Sequence, residues 1–289
     1  MSPLSRRALL RSAAGAAAGL AFPGTAVWPR GTATGGARLK QSVSRWPFQE
    51  IPLPDFCRAA KAMGIEGIDL LQREDWEVVR ELGLVCSMGY PTGRRQFIET
   101  GFNDRANHPR LLRELEATIP VAARLGVPNV IAMFGNRRGR SDREAIESCV
   151  AGLRAITPLA EEHGVTVCLE LLNSKVDHPD YQGDHTTFGV EVVQTVGSPR
   201  VKLLYDIYHM QIMEGDVIRT IREHIGRIAH FHTGGVPGRH ELDQTQELNY
   251  GAIARAIAET GFEGYVAHEF MPSRDPLTSL REAVAVCRV

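Results

Sequence analysis

From Lys40 onward the chain alternates short apolar runs with longer stretches in which apolar residues recur every three or four positions. The short runs are Lys40–Ser44, Gly67–Leu71, Val85–Gly89, Asn129–Phe134, Thr166–Leu171, Val201–Tyr205, Arg227–His232 and Gly264–Phe270. Their length and position between the longer stretches predict β-strands. The longer stretches, Leu53–Met63, Asp75–Leu82, Pro109–Leu125, Asp142–His163, Gly189–Val196, Asp216–Ile225, Tyr250–Thr260 and Leu277–Cys287, predict amphipathic helices. Gly64, Gly83, Gly126, Gly164, Gly197, Gly226 and Gly261 each follow such a stretch, at the place where a left-handed backbone costs least as glycine. Strands separated by helices pair in parallel through right-handed crossovers, and eight such units close on themselves. The competing open doubly wound sheet lacks its glycine fingerprint after the first strand. The expected fold class is α/β, a (β/α)8 TIM barrel in one domain over residues 39–289.

Ahead of it the pattern changes. Ser5-Arg6-Arg7-Ala8-Leu9-Leu10-Arg11, an Ala/Gly/Leu stretch and then Gly24-Thr25-Ala26 follow the order of a twin-arginine export signal. Residues 1–38 are therefore expected to be signal peptide and linker, and the folded chain to be periplasmic or otherwise extracytoplasmic. The apolar stretch from Ser12 to Phe22 is too short to span a bilayer, so no membrane span is expected. The formal charge of −1 becomes −4 once Arg6, Arg7 and Arg11 are removed, with 30 basic against 34 acidic side chains. That balance speaks against a nucleic-acid partner. A small-molecule partner remains, and a homo-oligomer is compatible with the sequence. With 43% apolar and 23% charged residues the composition is that of an ordinary globular protein. The five cysteines, odd in number and without C-x-x-C spacing, read as free thiols, mostly in the core.

In a barrel of this kind the chemistry sits where strands end. The fifth to eighth strands end in Cys168-Leu169-Glu170, Leu204-Tyr205-Asp206, His230-Phe231-His232 and His268-Glu269-Phe270. Glu170, Asp206, His232 and Glu269 are 36, 26 and 37 residues apart, each about one strand-helix unit, so they should converge at one side of the mouth. Three carboxylates placed together repel, and a cation keeps them ionised. The mixed oxygen and nitrogen set suits one divalent metal: Mn²⁺, Mg²⁺ or Co²⁺, with Zn²⁺ also compatible. Singly, each residue also has a plain structural reading: a helix cap for Glu170 or Glu269, an Asx-turn for Asp206, a hydrogen-bonded core position for His232. Their equivalent positions favour the metal. His230 faces the same way as His232 but one layer deeper, and His268 alternates away toward the helices.

Leu169-Glu170-Leu171-Leu172-Asn173, Tyr205-Asp206-Ile207-Tyr208-His209-Met210-Gln211-Ile212-Met213-Glu214-Gly215, Val236-Pro237-Gly238-Arg239-His240-Glu241 and Glu247-Leu248-Asn249-Tyr250 resemble the hydroxypyruvate isomerase family. The scaffold is similar to that of ketose 3-epimerases, xylose-isomerase-like barrels and, more remotely, endonuclease IV. The resemblance covers residues 40–289 and implies that Glu170 and Glu269 are catalytic acid/base carboxylates that also bind the metal, with Asp206 a further ligand. It also implies that His209 contacts a substrate oxygen and that Arg239 holds a carboxylate or hydroxyl. Hydroxypyruvate isomerases carry Gln where this chain has His232, whereas the ketose epimerases carry His. The polar loop after the fifth strand adds Lys175 and His185 as candidate sugar contacts.

The activity this implies is isomerase chemistry, hydroxypyruvate to tartronate semialdehyde, by enediolate proton transfer between two glutamates with the metal as Lewis acid. A ketose 3-epimerase or a lyase acting on 3-keto-glycosides would use the same groups. From other classes, a nuclease would need a basic face, and a non-catalytic sugar-binding barrel would leave substrate C–H bonds untouched.

Overall fold

The computed structural model describes residues 38–91 and 97–289. The expected export signal lies outside the described residues. The apolar runs form eight parallel strands: β1 (Lys40–Ser44), β2 (Gly67–Leu71), β3 (Val85–Gly89), β4 (Asn129–Met133), β5 (Thr166–Glu170), β6 (Val201–Asp206), β7 (Ile228–Thr233) and β8 (Tyr265–His268). They close in chain order, with β8 paired to β1. Every residue of β2, β4 and β5 is buried, because helices cover the outer face while side chains fill the inner one. The barrel belongs to one compact unit, as the sequence predicts.

The helices are α1 (Leu53–Ala62), α2 (Trp76–Glu81), α3 (His108–Leu125), α4 (Asp142–His163), α5 (Thr186–Val196), α6 (Ile207–Met213), α7 (Val217–His224), α8 (Tyr250–Glu259) and α9 (Pro276–Val286). Among the described residues none is long and apolar enough to cross a membrane. Six of the seven helix-closing glycines have positive φ, as expected; Gly226 does not. It lies in the 3-10 turn Ile225–Arg227, through which α7 runs on into β7 without a left-handed residue. The sequence pattern has no counterpart for α6. This helix of seven residues is too short to show a period, and it starts directly from β6, whose last residue caps it: the Asp206 carboxylate accepts the His209 N–H at 3.1 Å.

Three ladder irregularities position the interior. Between β2 and β3 the register shifts on both sides of Asp69, and Leu70 sits at φ 52. Between β6 and β7 a shift after Leu203 brings His230 opposite Leu204 and His232 opposite Asp206. Between β3 and β4 only Gly89 and Val130 pair. There the loop ahead of α3 takes over, with Phe102 N donating to Met133 O at 3.0 Å and Asn103 N to Phe134 O at 2.9 Å.

Candidate active site

Glu170 ends β5, Asp206 ends β6, His232 stands one residue before the end of β7, and Glu269 follows β8, its N–H extending the ladder to Thr233 O at 3.0 Å. All four are buried, and one donor atom from each lies within 4.8 Å of the others. His232 Nδ1 is 3.2 Å from Glu170 Oε1, 2.5 Å from Glu269 Oε2 and 3.8 Å from Asp206 Oδ2. With ligand bonds of about 2.0–2.2 Å, opposite donors around one ion stand roughly 4 Å apart, so a cluster of this size closes on a cation with small adjustments. Three carboxylates and one imidazole suit a hard or borderline divalent ion.

His232 is held from behind. Its Nε2 lies 2.8 Å from Asp69 Oδ2, so the ring turns Nδ1 toward the three carboxylates. His230, also fully buried, is one layer deeper with Nε2 2.9 Å from Asp69 Oδ1. His268 faces the other way, between Thr233 Oγ1 at 3.2 Å and Gln41 Oε1 at 2.8 Å.

Arg239 enters from the loop between β7 and α8, where its own φ is 56. Its Nη2 donates to Asp206 Oδ2 at 2.6 Å and Glu269 Oε2 at 2.5 Å, while Nε holds Glu269 O at 3.0 Å. His209, on the first turn of α6, accepts the Asn173 N–H at Nδ1 (3.1 Å) and presents Nε2 to Arg239 Nη1 at 2.5 Å. Trp46, opening the 3-10 turn Trp46–Phe48 after β1, donates from Nε1 to Glu269 Oε1 at 2.5 Å. The partners of Lys175 and His185 lie elsewhere. Lys175 Nζ donates to Ile212 O and Met213 O, both at 3.0 Å, closing the C-terminal end of α6, where a cation is favoured. His185, exposed, has Nδ1 2.8 Å from Asp184 Oδ1.

The charges settle unequally. Burial pushes Glu170 up to about 7, with Glu269 and Asp206 adding to the rise against His232. Burial acts on Glu269 in the same sense, but Arg239 and His232 hold it down at about 2. Asp206 is raised by burial against the pull of Arg239. Burial lowers His232, yet Glu269 and Asp69 hold it well above the usual histidine range. Burial, with Arg239 beside it, keeps His209 well below that range, and therefore neutral.

Asp69 and Trp46 are the site residues that strand-end reasoning over β5–β8 misses. The signal for Asp69 was present as a single carboxylate inside Gly67-Ile68-Asp69-Leu70-Leu71, a run with no other polar side chain. Trp46 left none, because a tryptophan just after a strand reads as packing.

Comparison with known proteins supplies the context. Residues 57–288 match the family model described as xylose isomerase-like TIM barrel. A putative hydroxypyruvate isomerase of Homo sapiens is 29% identical over 249 residues, covering 81% of this chain and 90% of that protein. A 2-oxo-tetronate isomerase of Pectobacterium atrosepticum is 27% identical over 236 residues, covering 78% and 88%. Among solved structures, an AP endonuclease, family 2, from Brucella melitensis superimposes with a TM-score of 0.75 at 26% identity, covering 84% and 97%.

Proposed function

This chain belongs to the xylose isomerase-like TIM barrel family, and from that premise we propose that it is a divalent-cation-dependent isomerase of short 2-keto-3-hydroxy acids, hydroxypyruvate among them. That it is an enzyme of the isomerase kind is supported by the relatives named above, a putative hydroxypyruvate isomerase and a 2-oxo-tetronate isomerase. The observation that carries the finer reading is the convergence of Glu170, Asp206, His232 and Glu269 with a guanidinium, Arg239, inside the same buried site.

These four residues would hold the cation, which when bound supplies Lewis-acid polarisation of a carbonyl and its neighbouring hydroxyl. The chain's own groups do the rest. One of Glu170 and Glu269 takes the proton from C3 of hydroxypyruvate, and the other returns a proton at C2. The hydroxyl proton moves from the C3 oxygen to the C2 oxygen, so hydroxypyruvate becomes tartronate semialdehyde with no atom gained or lost.

His209 and Arg239 argue for an oxygen-rich substrate. With Nδ1 accepting from Asn173, the neutral ring carries its proton on Nε2, which then faces the N–H of Arg239 at 2.5 Å. Two donors this close leave no room for an atom between them, but both can turn to one acceptor set beside them, and a substrate carboxylate or hydroxyl oxygen serves. Arg is suited to a carboxylate because its donors match the two oxygens. A second reading, ketose epimerase, is favoured by His232 itself, the residue type that the epimerases carry at this position. The twin-arginine-like start adds an extracytoplasmic location to the proposal.

Proton exchange decides among these. In D₂O, NMR should show the C3 protons of hydroxypyruvate replaced in the presence of protein, exchange lost on chelation and restored by Mn²⁺. Glu170→Gln and Glu269→Gln should each slow it by 10²-fold or more, the usual scale of an acid/base group being about 10²–10⁴. Exchange on ketoses alone would move the assignment to epimerase, and near-normal exchange by both variants would remove the proton-transfer roles.

A further inference from the structure

Asp69 is a fully buried carboxylate on β2, three strands around the barrel from His232, and four groups converge on it. Ser44 Oγ (3.1 Å) and His232 Nε2 (2.8 Å) meet Oδ2; Ser87 Oγ (3.0 Å) and His230 Nε2 (2.9 Å) meet Oδ1. The backbone is shaped to put it there. The ladder with β3 shifts on both sides of Asp69, and the next residue, Leu70, is held at φ 52. Bulges of this kind re-aim side chains near active sites. A leucine in left-handed conformation is strained, and persists only where its surroundings impose it.

An imidazole can turn over about its Cβ–Cγ bond, exchanging the places of its nitrogens and carbons, and it has two neutral tautomers. The partner of one nitrogen therefore decides what the other can do. We propose that Asp69 is the positioning residue for the cation site: by taking the N–H at Nε2 of His232 it fixes ring and tautomer, so that the lone pair of Nδ1 is the one offered beside Glu170, Asp206 and Glu269. The two serines tie down both oxygens of the carboxylate. His230 packs against the Oδ1 side, so the carboxylate cannot rotate away. Packing alone would be served as well by an asparagine of the same shape. A metal-ligating histidine gains basicity and orientation from a carboxylate behind it, and losing such a partner costs about 10–100-fold in metal affinity.

The inference rests on the cation-dependent reading above, and the test separates the two. Mn²⁺ is titrated calorimetrically into chelator-stripped protein. Wild type should bind one equivalent, and Asp69→Asn should bind it about 10–100-fold more weakly while circular dichroism and the apoprotein Tm report a folded barrel. With Zn²⁺ bound, ¹⁵N-histidine spectra of wild type should show His232 protonated at Nε2 and shifted at Nδ1, and those of Asp69→Asn a mixture. If Asp69→Asn does not fold, Ser44→Ala and Ser87→Ala decide. Ser44 supports the oxygen that meets His232, so its loss should weaken binding by roughly threefold, as one hydrogen bond does, and Ser87→Ala by less. Unchanged affinity in folded Asp69→Asn, or equal affinities in the serine pair, overturns the positioning role and leaves the metal reading standing. Wild type that takes up no divalent ion overturns both.

Discussion

Arg239 and a divalent cation have designs on the same oxygens, since Nη2 lies against Asp206 Oδ2 and Glu269 Oε2. Replacing the arginine should therefore change binding and turnover in opposite directions. In Arg239→Gln, two charge-assisted hydrogen bonds no longer compete with the ion, and these are worth about 1.5–3 kcal/mol each; affinity for Mn²⁺ should rise by at least about tenfold, the value of one such bond at the low end of that range. Turnover of a keto acid should fall, with KM rising most, because the carboxylate loses its paired donors. Calorimetry and initial rates on one preparation check both, and weaker Mn²⁺ binding in the variant would show that Arg239 supports the ion instead of contesting it. At this scale the sequence was informative wherever chemistry and position coincided. Glu170, Asp206, His232 and Glu269 stood out because each closes a predicted strand. Lys175 and His185 stood out only as polar groups in a loop, and the structure pairs them with the end of α6 and with Asp184.

Elements were legible to the extent that each carries its own period and punctuation. Helix α4, bounded by Ser141 and Gly164, has its capping box of Ser141 with Glu144 and ends where the sequence says. Helix α6 escaped because its start signal, Asp206, is also a strand end and a member of the cluster. The glycine rule failed once, and that failure can be measured. Gly126 lies at φ 72 with nothing within 4 Å of an added Cβ, so Gly126→Ala meets only the left-handed penalty, about 1 kcal/mol, or about 2–4 °C in Tm. Gly226 has equal room and no positive φ, so Gly226→Ala should stay within about 0.5 kcal/mol of wild type. Thermal melts of the two compare them directly, and equal losses would contradict the backbone explanation.

At the scale of the whole molecule, burial governs the thiols. All five cysteines are buried; burial pushes Cys57 up to about 11 and Cys287 up to about 12. Both the thiolate and access to it are needed for disulfide exchange. Native protein at pH 8 should therefore release no colour rapidly with a disulfide reagent, and five equivalents after denaturation; a fast thiol in the native state would contradict this. Such protection reconciles free cysteines with the expected export to an oxidising compartment.

The join between β3 and β4 bears on a different matter. Beyond the single pair Gly89 and Val130, the wall is completed by Phe102 and Asn103 of a loop, which bond to Met133 and Phe134 at the end of β4. Loops accept insertions and exchanges that a paired strand does not. Phe102 and Asn103, however, are buried, and Met133, to which Phe102 bonds, stands in register with Glu170. A change in that loop therefore reaches the proton-transfer wall across a single strand, and its length is tied to the placing of Glu170.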